Sequence, residues 1–162
     1  MKKLLVCLMA ITTMGIISCT SNPAKKYEGS YKVDVDRSIT AMGATNNEPT
    51  ITMDMNIIAE GNDGTVRIVF PPDPNEKACD EQCGAGEEEE MVFTGKVDKD
   101  GLHIDGKTLS PDPEITYTYS AADAVLEGET MTWTQTIEGS ATLMGKEFPI
   151  TGTNKYVATK QK

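Results

Sequence analysis

The residues with the most chemistry to offer sit in one short stretch. Cys79 and Cys83 lie in Ala78-Cys79-Asp80-Glu81-Gln82-Cys83-Gly84, with three residues between them. Such a pair can close a disulfide if the loop turns, within restrictive geometry. A redox pair would more typically be spaced Cys-x-x-Cys. A zinc site would need further ligands, and the only histidine is His103. Asp73, Glu76, Asp80 and Glu81 are hard oxygen donors of the kind calcium takes, at a spacing that matches no standard loop. Asp98, Asp100 and Asp105 bracket Gly101 but lack the later bidentate Glu of a calcium loop, so they read as hairpin-turn residues. His103 alternates with Leu102 and Ile104, which aims it outward with no Ser or Cys partner for base chemistry. The chain holds no Gly-x-Ser-x-Gly, phosphate loop or dinucleotide fingerprint. The sequence thus assigns no catalytic residue, metal or cofactor. A non-enzyme is expected, with a hydrolase or metal enzyme as the alternative.

A second chemistry is written at the N-terminus. Lys2 and Lys3 precede an apolar run from Leu4 to Ile17, too short to span a bilayer as a stable helix. The run ends in Ile16-Ile17-Ser18-Cys19, which resembles the lipobox of bacterial lipoproteins. That resemblance implies cleavage between Ser18 and Cys19, and acyl chains such as palmitate on the Cys19 thiol. Each buried methylene would contribute about 0.8 kcal/mol, so more than one chain makes the anchor durable. Residues 1–18 are then a signal peptide and 19–26 a lipidated leash. Neither an Asp nor an acidic cluster follows Cys19. By the same resemblance, this points to the outer membrane with the domain in the periplasm, rather than inner-membrane retention or surface export. Outside the cytoplasm, a Cys79–Cys83 disulfide becomes the default reading.

These residues need a scaffold, and alternation supplies it. The apolar members Tyr27, Tyr31, Val33 and Val35 share one face, and Met53, Met55 and Ile57 share another. Val66, Ile68 and Phe70 follow, then Met91, Phe93 and Val97, then Leu102 and Ile104. Ile115, Tyr117 and Tyr119 alternate with polar residues, as do Met131, Trp133 and Ile137. Phe148, Ile150 and Tyr156 close the series, with Gly152 between. Turn chemistry separates the runs at Gly61–Gly64, Asp98–Gly101, Asp105–Lys107, Glu127–Glu129 and Gly145-Lys146. Only Ala121 to Leu126 suits a helical turn. About eight strands joined by tight turns predict an all-β, up-and-down antiparallel barrel over 27–160, with a β-sandwich as the alternative. Two connections are long, 41–50 and 71–90. The second carries three prolines, the cysteine pair and a run of four glutamates, and reads as a solvated loop or a partner contact.

Tyr27-Glu28-Gly29-Ser30-Tyr31 opens the first strand where calycins place Gly-x-Trp. With the strand order, this resembles the lipocalin and streptavidin type of barrel, and specifically the calycin-like lipoproteins of Bacteroidetes. The resemblance implies a cationic side chain stacked on Tyr31, a role open to Lys155, and an apolar cavity. Tyr31, Met53, Met55, Phe93, Tyr117, Met131 and Trp133 are the candidate ligand-lining residues, with core filling as their other reading. A formal charge of −10 repels nucleic acid and anionic lipid surfaces. The expected function is a lipid-anchored envelope lipoprotein. It would bind a small apolar or amphipathic ligand or, alternatively, work as a scaffold for an envelope protein through its surface.

Overall fold

The computed structural model describes residues 22–72 and 90–162. Ser18, Cys19, Cys79 and Cys83 lie outside the described residues, so the cleavage, lipidation and disulfide readings do too. Within them the chain forms β1 (Gly29–Ala41), β2 (Ala44–Asn47), β3 (Ile51–Glu60), β4 (Thr65–Phe70), β5 (Met91–Val97) and β6 (Leu102–Ile104). It continues with β7 (Lys107–Asp112), β8 (Ile115–Tyr119), β9 (Ala122–Glu127), β10 (Thr130–Leu143) and β11 (Lys146–Lys160).

Eight strands close a ring in the order β1, β3, β4, β5, β6, β9, β10, β11, with β11 returning to β1. Every pairing is antiparallel. This is the predicted up-and-down barrel, and its closure sets the sandwich aside. The remaining three strands are excursions. β2 folds back on the end of β1, and the β7–β8 hairpin pairs with the second half of β10.

The excursions exist because β1, β10 and β11 run to 13, 14 and 15 residues, longer than their ring neighbours need. Their far halves leave the barrel together. With β2, β7 and β8 they form an open six-stranded extension beyond one mouth. Two of its hairpins turn at Met42-Gly43 and Met144-Gly145, with φ of 53° and 77°, and 51° and 74°. Paired positive φ angles match the right-handed twist of the flanking strands.

Four sequence expectations need correction. Ala121 to Leu126 is not helical: Ala122–Glu127 is barrel strand β9, held between β6 and β10. Asp105-Gly106-Lys107 is not a hairpin turn but the exit from the ring into the extension, since β6 and β7 do not pair. Pro23–Lys26, expected as part of a leash, instead forms a one-turn 3-10 helix that belongs to the fold. Asn22 caps it, its side chain accepting from the Ala24 amide at 3.0 Å and donating to the Gly61 carbonyl at 2.8 Å. Ala24 and Tyr27 are buried, so this turn plugs the mouth opposite the extension. Lys160, not Lys155, provides the cation over the Tyr31 ring, 5.8 Å from its centroid.

Among the described residues, the barrel interior is packed with side chains. Tyr31, Val33, Val35, Met55, Ile57, Ile68, Leu102, Met131 and Trp133 belong to one packed cluster. Burial raises the Tyr31 phenol to about 12, with Tyr27 adding to it, and the neutral hydroxyl donates to the Tyr27 carbonyl at 2.6 Å.

Candidate functional site

The three long strands carry their inward-facing residues in rows that can be followed from the core out through the mouth. The last core row is Val35, Tyr156 and Trp133. Its two rings stack with centroids 4.5 Å apart and planes 4° from parallel. The next row is polar: Arg37, Asn154 and Gln135. Beyond it come Ile39, Gly152, Ile137 and Tyr119, then Ala41, Ile150, Gly139 and Tyr117. Polar side chains at one level, between an aromatic floor and an apolar wall, are the feature of this molecule that most needs a reason.

Gln135 and Asn154 are each 1% exposed. Gln135 donates to the Ser120 carbonyl at 2.9 Å. Asn154 donates from Nδ2 to the Tyr156 hydroxyl at 3.0 Å. Its Oδ1 is buried with no partner among the described residues, and so is Nε of Arg37. The Arg37 fork reaches Glu48 only at 3.5 Å, at the surface. A buried polar group that neither protein nor water pairs costs about 1–3 kcal/mol, so each one asks for a partner. Burial pushes the Tyr119 phenol up to about 12, helped by Tyr156 and Tyr117 and partly opposed by Arg37 and Asn154. Burial raises Tyr156 as well, opposed by Asn154 and Arg37. Both phenols are therefore neutral donors at neutral pH.

Above this row lies an apolar cleft of about 170 Å³, lined by Arg37, Ile39, Tyr117, Tyr119, Ile137 and Ile150 among others. Gly139 makes it possible. A Cβ there would lie 2.1 Å from the Thr116 carbonyl oxygen and 2.5 Å from the Tyr117 Cα, so only glycine lets β8 approach β10.

The sequence-predicted lining residues divide. Tyr31, Met55 and Met131 are wholly buried, Phe93 and Trp133 are 3% and 6% exposed, and all five fill the core. Met53 packs against that core from a partly buried position. Tyr117 alone reaches the cleft. Arg37, Gln135 and Asn154 were missed, yet each holds the inward parity of its strand. A reading that scored every second residue, rather than every second apolar one, would have found them.

At the plugged end a larger depression of about 530 Å³ is walled by Lys26, Lys99, His103, Asp123 and Leu126, among others. His103 points outward as expected. Its ring nitrogens are engaged by Asp123 at 2.5 Å and Asp98 at 3.1 Å, so neither is left for base chemistry. Those hydrogen bonds, to Asp123 first and Asp98 second, raise the imidazole's pKa. Among the described residues, no three His, Cys, Asp or Glu side chains converge as metal ligands.

The closed ring defines the class: an eight-stranded antiparallel all-β barrel, consistent with a calycin-like fold. No protein-family model matches the chain, and no curated protein sequence matches it. Among solved structures it is similar to the monomer form of the M. tuberculosis PknI sensor domain, at 14% identity and a TM-score of 0.40, over 83% of this chain and 86% of that one. At that score the likeness is distant, and the barrel rests on its own strand ring.

Proposed function

We propose that the protein is a lipid-anchored envelope lipoprotein, held by acylated Cys19 on the periplasmic face of the outer membrane, that binds a small amphipathic ligand. The site is the cleft beyond the open mouth, not the barrel interior. The observation that carries this reading is the apolar wall of Ile39, Ile137, Ile150 and Tyr117 standing directly over a polar row with two buried atoms that have no partner among the described residues. The polarity of the molecule supports it. The chain enters at the plugged mouth, so a lipid on Cys19 leaves the cleft facing away from the anchoring membrane. The volume of about 170 Å³ is below the ~300 Å³ of drug-sized pockets, so the ligand is small or inserts only one end.

Native mass spectrometry of protein extracted from its own host tests the ligand. The parent is expected to carry a bound small molecule, and Ile150→Glu to lose it while keeping a β-rich circular dichroism spectrum. A parent and variant that are equally empty would refute binding at the cleft. Metabolic labelling tests the anchor: Cys19→Ser is expected to lose fatty-acid label, and full labelling of the variant would refute it. The filled interior favours one second reading, an interaction lipoprotein that works through its surface.

A further inference from the structure

We infer that the cleft selects a carboxylate joined to a short hydrocarbon tail, with the carboxylate against Arg37 and the tail along Ile39, Ile137 and Ile150. The inference rests on the binding reading above and adds the ligand's charge and polarity order.

Charge is the first ground. Arg37 is the cation lining the cleft, and its Nε is buried and without a partner among the described residues. Among the described residues, the only ion pair of its guanidinium is a 3.5 Å contact at Nη1 with Glu48, which leaves the Nε side unspent. A guanidinium edge presents two parallel N–H donors, which match the two oxygens of a carboxylate. The hydroxyls of Tyr119 and Tyr156 are neutral at physiological pH, since burial raises both phenols. They add donor capacity near the same level without adding negative charge. A cationic head group would meet Arg37 as a like charge. A neutral alcohol would leave the guanidinium edge buried and unpaired, and that difference sets specificity.

Shape is the second ground. From Arg37 to Ala41, β1 rises by roughly 13 Å at ~3.3 Å per residue. Ile39 lies opposite Gly152, and Ile150 in the next row lies between Ala41 and Gly139, so the two glycines keep the wall low. The wall carries no charged side chain between Arg37 and the rim. A head at Arg37 and a tail toward the rim is therefore the order that pairs the charge and buries the hydrocarbon together.

The test uses the lipidated protein in nanodiscs, with empty nanodiscs as reference, titrated calorimetrically with octanoate, octanol and octyltrimethylammonium. Octanoate is expected to bind at least tenfold more tightly than octanol, and the ammonium not to bind. Arg37→Gln is expected to weaken octanoate at least tenfold and leave octanol unchanged, with Arg37→Lys in between. Octanoate binding no tighter than octanol, or equal losses for both in Arg37→Gln, overturns the carboxylate assignment while leaving binding at the cleft intact. Failure of all three probes on the parent overturns the binding reading itself, and this inference with it. Should Arg37→Gln not fold, the order of the three probes on the parent decides.

Discussion

Replacing Asn154 and Tyr156 together, by Leu and Phe, separates a polar row kept for stability from one kept for a ligand. In the parent, among the described residues, Asn154 contributes one hydrogen bond, from Nδ2 to the Tyr156 hydroxyl, and leaves Oδ1 buried and unpaired. The bond is worth about 1 kcal/mol and the orphaned oxygen costs about 1–3 kcal/mol. Leu keeps the branching and heavy-atom count of Asn, and Phe keeps the ring that stacks on Trp133. The double variant therefore loses about 1 kcal/mol and recovers about 1–3, a net gain of roughly 0–2 kcal/mol. The single variants behave differently. Tyr156→Phe strands Nδ2 as well as Oδ1 and is expected to lose about 1–3 kcal/mol. Asn154→Leu strands the Tyr156 hydroxyl, itself on a residue only 2% exposed, but sheds the orphaned oxygen, so it falls between. Urea unfolding of the four proteins reads this as a double-mutant cycle. At about 2 kcal/mol/M, Tyr156→Phe should lower the midpoint by roughly 0.5–1.5 M, and the double variant should match or exceed the parent. A double variant less stable than the parent by more than about 1 kcal/mol refutes the reasoning. The row would then be a net structural asset, and its unpaired atoms would need no ligand to explain them.

Three further outcomes follow from single positions. Gly139→Ala would force a Cβ into the Thr116 carbonyl, so β8 should peel from β10. A loss of about 1–3 kcal/mol is expected, with hydrogen-exchange protection lost at Tyr117 and Tyr119 but kept at Trp133. Met144 sits fully exposed at φ 51°, a backbone that asparagine tolerates better, so Met144→Asn should raise stability by up to about 1 kcal/mol in thermal unfolding. The raised His103 adds stability that is fully present below the unfolded histidine value and disappears as pH rises through the folded value. The lowered Asp98, held chiefly by the Asp100 amide and then by His103, adds stability that is present above the ordinary carboxylate value and lost as pH falls through its folded one. His103→Gln should therefore flatten the high-pH side of a stability–pH curve measured by urea midpoint. An unchanged slope there would show that the cluster does not couple to folding.

The barrel was readable because its strands bury one face each. Tyr31, Val33 and Val35, or Val66, Ile68 and Phe70, are apolar at every second position, and all six are buried where alternation places them. β9 was lost because Ala122, Ala124 and Leu126 present small or helix-favouring side chains. Local propensity there points away from the strand that pairing with β6 and β10 imposes. The extension was lost for another reason. Nothing local says that β1, β10 and β11 overrun the ring; their length shows only when three partners are laid side by side. The site was lost with it, since Arg37, Gln135 and Asn154 look like interruptions of apolar faces until their registers put them in one row.

The open extension also bears on why the cleft stays available. An apolar sheet face with free edges invites pairing with another copy, which would cover it. Here the two edges are β2 and β7. β2 offers only four residues, all exposed. β7 carries Pro111, which donates no hydrogen bond, and its register with β8 slips between Leu109 and Asp112. Short length, a proline and a bulge are the devices that stop an edge from growing. They also stop β2 and β7 from extending toward each other to shut the extension into a second barrel. The wall of Ile39, Ile137 and Ile150 is therefore left open at edges built to stay unpaired. Under the proposed binding reading, the small volume and the polar row beneath it then set what the cleft would accept.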